Sequence, residues 1–60
     1  MGEKLVKEVF EVLFAFEDLR DLLRKTAPFH RFSEDQKAIA RVALERARKA
    51  IEAIEVELQP

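Results

Sequence analysis

The stretch Val9-Phe10-Glu11-Val12-Leu13-Phe14-Ala15-Phe16 decides the fold of this chain. Seven of its eight residues are apolar and three are phenylalanines, although charged residues make up 38% of the chain. Apolar residues recur through it at alternating spacings of four and three, which is typical of a helix packed along one face. The seam positions so defined are Leu5, Val9, Val12, Phe16, Leu19 and Leu23. We therefore predict a helix over residues 3–26, which Pro28 ends because proline disfavours helical geometry at the preceding residue.

A second helix is indicated by the sequence Ser33-Glu34-Asp35-Gln36, which fits a capping box. The second seam also alternates spacings of four and three, and is formed by Ala40, Leu44, Ala47, Ile51, Ile54 and Leu58. This pattern predicts a helix over residues 34–58, after a loop at 27–33. Two helices of nearly equal length joined by a short loop favour an all-α antiparallel hairpin, with residues 1–60 as one domain.

The first helix carries more apolar surface than one facing helix can cover. Leaving Phe10, Leu13 and Phe14 in water would forgo about 1.5–3 kcal/mol each. A chain of 60 residues without cysteine has little stability to spare. We therefore predict self-association into a homodimeric four-helix bundle, possible higher oligomers being left open. The expected dimer interface consists of Val6, Phe10, Leu13, Phe14, Ile39, Ala43 and Ala50.

Charge placement indicates how the two copies are oriented. Residues 20–41, around the loop, carry six Lys or Arg against three Asp or Glu, whereas residues 1–19 sum to −3 and residues 42–60 to −1. A dimer with its loops at opposite ends brings each positive loop end beside negative chain ends. We predict that arrangement.

A second hypothesis is a small regulatory protein that binds RNA or DNA through its basic loop end. The candidate contacts are Arg24, Lys25, His30, Arg31, Lys37, Arg41 and Arg48. Phe29 and Phe32 could stack bases there, but we favour a role in plugging the end of the bundle. The length and two-helix plan resemble those of the Rop-type copy-control proteins of plasmids, small helical-hairpin dimers, and this resemblance implies a shared architecture rather than a function.

Catalytic and metal sites are not predicted. No nucleophile, base and orienting group can be assembled, so we expect a non-enzymatic protein with no catalytic residues and no cofactor. The pairs Glu8/Glu11 and Glu52/Glu55 have helical spacing, but the single histidine argues against a metal site, and we expect these glutamates on solvated faces.

The remaining expectations concern context. With a net charge of −1 and no apolar run long enough for a membrane span, we expect a cytoplasmic protein without membrane contact. The dominance of Glu, Lys and Arg is also found in proteins from thermophiles. Two alternatives stay open: a subunit that gives its apolar stripe to a different protein, and a designed helical bundle, since designers write equally regular seams.

Overall fold

The computed structural model describes residues 2–60 and contains two α-helices that pack against each other as a hairpin. Helix α1 spans Gly2–Lys25 and helix α2 spans Glu34–Leu58, against predicted ranges of 3–26 and 34–58. Because the connection is short and the helices are in contact, they run antiparallel. The hairpin is a rod with principal extents of 44, 16 and 13 Å.

The start of α2 is fixed by the predicted capping box, which is confirmed. The Gln36 backbone N–H donates to Ser33 Oγ at 3.1 Å, and the Ser33 backbone N–H donates to Gln36 Oε1 at 2.9 Å. Glu34 and Asp35 add negative charge in the first turn, where the helix dipole favours it. The local sequence alone therefore determines where α2 begins.

The turn after α1 satisfies carbonyl groups at the helix end through side chains. Thr26 Oγ1 donates to the Leu22 carbonyl at 2.7 Å, and His30 Nδ1 lies 3.1 Å from the Leu23 carbonyl. His30 has φ 55°, in the left-handed region, and its backbone N–H donates to the Thr26 carbonyl at 2.8 Å. The single histidine thus closes the C-terminal end of α1.

Alanines are most of the buried residues between the helices. Four of the six buried residues are alanines of α2, and a fifth, Ala15, is the most buried residue of α1. Small side chains allow the helix axes to approach closely. The buried residues are Ala15, Leu22, Ala40, Ala43, Ala47 and Ala50.

The predicted seam was therefore wrong at half of its positions. The half-buried Val12 and Leu19 of α1 and the buried Ala40 and Ala47 of α2 lie between the helices as expected. The residues that alternate with these in the two predicted seams are exposed instead. Those left exposed are Val9, Phe16, Leu23, Leu44, Ile51 and Leu58.

The cause of this difference is a common rotation of both helices. The predicted seam is centred between each shared residue i and residue i+4, whereas the observed seam is centred between i and i+3. The centres of these two faces lie roughly 50° apart around the helix axis. In α1 this rotation brings in Ala15 in place of Phe16. In α2 it brings in Ala43 and Ala50, each 2% exposed, in place of Leu44 and Ile51. The seam thereby leaves Phe16, Leu44 and Ile51 exposed, while Leu22 of α1 is buried in it.

Within residues 2–60, neither helix combines the length and the apolar character that crossing a membrane requires.

The alanine seam can be tested by filling it. We expect Ala50→Leu to lower the free energy of unfolding by about 1–3 kcal/mol, because the added side chain has no space between the helices. Ala38→Leu is the matched control, since Ala38 is exposed on the same helix. Urea unfolding at fixed protein concentration measures both. Equal stability of the two variants would contradict the placement of Ala50 in the seam.

A candidate self-association surface

One long side of the hairpin carries a network of charge pairs organised by Arg46. The Arg46 Nη2 and Nε groups donate to Glu11 Oε1 at 2.6 and 2.8 Å, and Nη1 donates to Asp18 Oδ2 at 3.2 Å. The hydrogen bonds that the guanidinium donates to Glu11, the charge of Glu11 and the charge of Asp18 raise the pKa of Arg46 above its usual value. These contacts link α2 to two residues of α1 that lie about two helical turns apart.

The opposite long side is apolar. Its residues lie seven apart on each helix, so that they form one straight row on α1 and a second row on α2. Each of these side chains is 41–65% exposed. We call this surface the apolar flank; it consists of Val9, Phe16, Leu23, Leu44, Ile51 and Leu58.

A shallow groove runs along the middle of the apolar flank. Phe16 from α1 lies in it together with Leu44, Ala47 and Ile51 from α2. Arg48, Glu52 and Glu55 form its outer border. The groove therefore joins both helices into one continuous apolar surface with a charged edge.

The total exposed area indicates that a hairpin alone is incompletely buried. A compact globular chain of 7.0 kDa exposes about 4,000 Å², whereas this chain exposes 4904 Å². The difference accompanies the elongated shape of the hairpin, with extents of 44, 16 and 13 Å. No large side chain is fully buried in the part of the chain that the structure describes.

The residues predicted for a dimer interface do not form one surface. Val6, Phe10, Leu13 and Phe14 are exposed on the outer face of α1, where the rings of Phe10 and Phe14 stack at 6.2 Å between centroids. The exposed Ile39 borders a separate groove with Asp18 and Val42, away from the apolar flank.

Ala43 and Ala50 require a correction. Both were predicted to contact a second chain, but the structure buries them between the helices of one chain. Each is 2% exposed, and Ala43 also lines the groove beside Ile39.

The predicted nucleic-acid contacts do not form a field of free positive charge. Four of the seven have a carboxylate partner on their own helix: Arg24 and Lys25 with Asp21, Lys37 with Glu34, and Arg48 with Glu45. His30 is used in the turn.

The two aromatic residues of the loop differ in burial. Phe29 is 78% exposed and lies 6.0 Å from the Arg31 guanidinium, whereas Phe32 is half-buried. Of the two side chains predicted to plug the end of the bundle, only Phe32 turns toward the helices. Phe29 and Arg31 form a small exposed cation–π pair.

The carboxylate pairs do not assemble into a metal site in the described chain. Among residues 2–60, no cluster of three or more acidic or histidine side chains has a metal-binding arrangement. Glu11, one member of a predicted pair, is held by Arg46 instead.

Comparison with known proteins gave no match: no protein-family model, no curated protein and no solved structure is significantly similar to this chain. The architectural likeness to the Rop-type proteins therefore rests on the sequence expectation alone.

Removing the Arg46 contacts tests this network of charge pairs. We expect Arg46→Gln to lower the urea midpoint at low salt, because Glu11 and Asp18 lose their common partner. The difference should shrink at 1 M salt, which screens half-exposed charges. Arg24→Gln is the matched control, since Arg24 pairs only within α1. A midpoint for Arg46→Gln no lower than that of the control would contradict the bridging role.

Proposed function

We propose that this chain is a non-enzymatic, self-associating module whose apolar flank is covered by the apolar flank of a second copy. The product is a homodimeric four-helix bundle that serves as a structural or protein-interaction unit. The observation that carries this proposal is the row of six large apolar side chains, spaced by seven on both helices and 41–65% exposed.

A second copy is the partner that this surface fits best. Two identical apolar flanks bury the same residues on both chains, which is the condition for a closed two-fold dimer. Full burial of a Val, Leu, Ile or Phe side chain is worth about 1.5–3 kcal/mol, and each of these is half-exposed in the hairpin. Covering six per chain would contribute a free energy comparable to the whole stability of a small domain.

The charge distribution supports a bundle with its loops at opposite ends. The loop end, residues 20–41, carries a formal charge of +3, while residues 1–19 carry −3. In this orientation each positive end lies beside a negative end of the other copy. The reverse orientation places two positive loop ends together.

This interface differs from the one predicted from the sequence. Val6 and Leu13 lie on α1 next to the apolar flank and would border the second copy. Phe10 and Phe14 lie further round the helix and would remain on the outside of the bundle. We favour the apolar flank because it spans both helices.

Nucleic-acid binding is the less favoured alternative. Most of the basic residues that it needs have carboxylate partners within 4 Å on their own helix. The apolar flank, in contrast, has no use in that hypothesis.

A matched pair of phenylalanine variants distinguishes the two interfaces. Phe16→Glu places a charge in the apolar flank, and we expect it to abolish the dimer and to lower helicity, because association supplies much of the stability. Phe14→Glu makes the same change at an exposed position outside it, and we expect a folded dimer. Light scattering gives the mass, expected at about 14 kDa for the wild type from 7.0 kDa per chain, and circular dichroism gives the helicity.

Two results would contradict the proposal. One is a folded wild-type monomer of 7.0 kDa at micromolar concentration. The other is a Phe16→Glu variant that stays dimeric while Phe14→Glu dissociates, which would restore the outer face of α1 as the interface.

A further inference from the structure

We infer that Arg41 and Glu55 select the orientation of the dimer by pairing with each other across the two copies. This inference rests on the proposed self-association and adds the residues that determine how the second copy docks.

The charged residues that border the apolar flank on α2 have opposite charges at the two ends of their row. Arg41, Arg48 and Glu55 are spaced by seven, so they lie in one row beside Leu44 and Ile51. Arg48, in the middle, is already bound to Glu45 at 2.7 Å. Among residues 2–60, neither Arg41 nor Glu55 forms an ion pair. The two free charges at the ends of the row are therefore available to another molecule.

When the helices of the two copies are roughly aligned, two-fold symmetry permits two ways of placing one apolar flank on another. With the axis perpendicular to the helices, the loops lie at opposite ends and each helix packs antiparallel to its own copy. With the axis parallel to the helices, the loops lie at the same end and α1 packs against α2 of the second copy.

The position of the axis follows from the groove. Phe16, the middle residue of the α1 row, lies against Leu44, Ala47 and Ile51 of α2. An axis through the centre of the apolar flank therefore crosses α2 close to Arg48. Arg41 precedes Arg48 by seven residues and Glu55 follows it by seven. Perpendicular two-fold rotation consequently brings Arg41 of each copy alongside Glu55 of the other, twice per dimer.

The same orientation also matches the apolar edge of α1. Val6 and Leu13 form a row beside Val9 and Phe16, spaced by seven. When α1 runs antiparallel to its copy, Leu13 comes level with Phe16 and Val6 with Leu23 of the second chain. Large apolar side chains thereby meet one another along this contact.

In the alternative orientation, the same rows of side chains face partners that do not complement them. With loops at the same end, Arg41 lies beside the loop end of α1, where the carboxylates of Glu17 and Asp21 are already paired with Arg20 and Arg24. Arg48 lies beside Phe16, and Glu55 lies beside Val6. Mixed polar–apolar contacts and the lack of a free acidic partner for Arg41 disfavour this arrangement.

Charge reversal distinguishes the two orientations. At 20 mM salt we expect Arg41→Glu to raise the dissociation constant of the dimer about ten-fold, since two exposed attractive pairs become repulsive. Combining it with Glu55→Arg should restore the dissociation constant to within about three-fold of the wild type, and high salt should remove the differences. Sedimentation equilibrium over a dilution series measures these constants. Lys49→Glu, the same charge change on α2 away from the apolar flank, is expected to leave the constant unchanged.

The outcomes separate this inference from the proposal on which it rests. A wild-type monomer overturns both. A wild-type dimer that Arg41→Glu leaves unchanged or tightens, or that the double variant fails to restore, overturns the pairing of Arg41 with Glu55 while self-association stands.

Discussion

The close packing of the α2 alanines against α1 is the constraint on which the rest of this structure depends. Ala40, Ala43, Ala47 and Ala50 are all buried, whereas the large side chains beside them are not. Because a seam made of small residues fixes the rotation of both helices, it also fixes which residues remain outside. The apolar flank and the Arg46 side are consequences of that one choice. The first gives the proposed dimer its surface, and the second links the two helices through charge pairs on the other side.

Local signals in the sequence were sufficient for the two helices. The capping box at Ser33 and the stop before Pro28 act through neighbouring backbone groups, so they can be read without knowledge of tertiary contacts. The rotation of the helices could not be read in the same way. Leu5, Val12 and Leu19 belong to both possible seams, and periodicity does not show on which side of this shared row the seam is completed. Choosing the larger side chains placed Phe16 inside, although the alanine spacing of α2 was the available signal for the other choice.

The candidate site was missed for the same reason. Val9, Phe16 and Leu23 were taken for the contact with α2, so the surplus apolar surface was assigned to the outer face of α1. The conclusion that the hairpin has more apolar surface than it can bury does not depend on this assignment. The location of this surplus surface does depend on the assignment, because Ala43 and Ala50 were counted as exposed residues. Opposite charges at the two ends of the α2 edge, Arg41 and Glu55, become meaningful only once that edge borders the apolar flank.

The most direct test of the proposed dimer is a distance between two copies in solution. The chain has no cysteine, so Glu34→Cys provides a single attachment point for a spin label at the exposed start of α2. Residue 34 lies about 20 Å from the position of Arg48 along the helix axis. Pulsed dipolar spectroscopy should therefore give a separation of about 40 Å if apolar flank covers apolar flank with the loops at opposite ends. A separation of about 20 Å would contradict the orientation, and the absence of any intermolecular coupling at micromolar concentration would contradict the dimer itself.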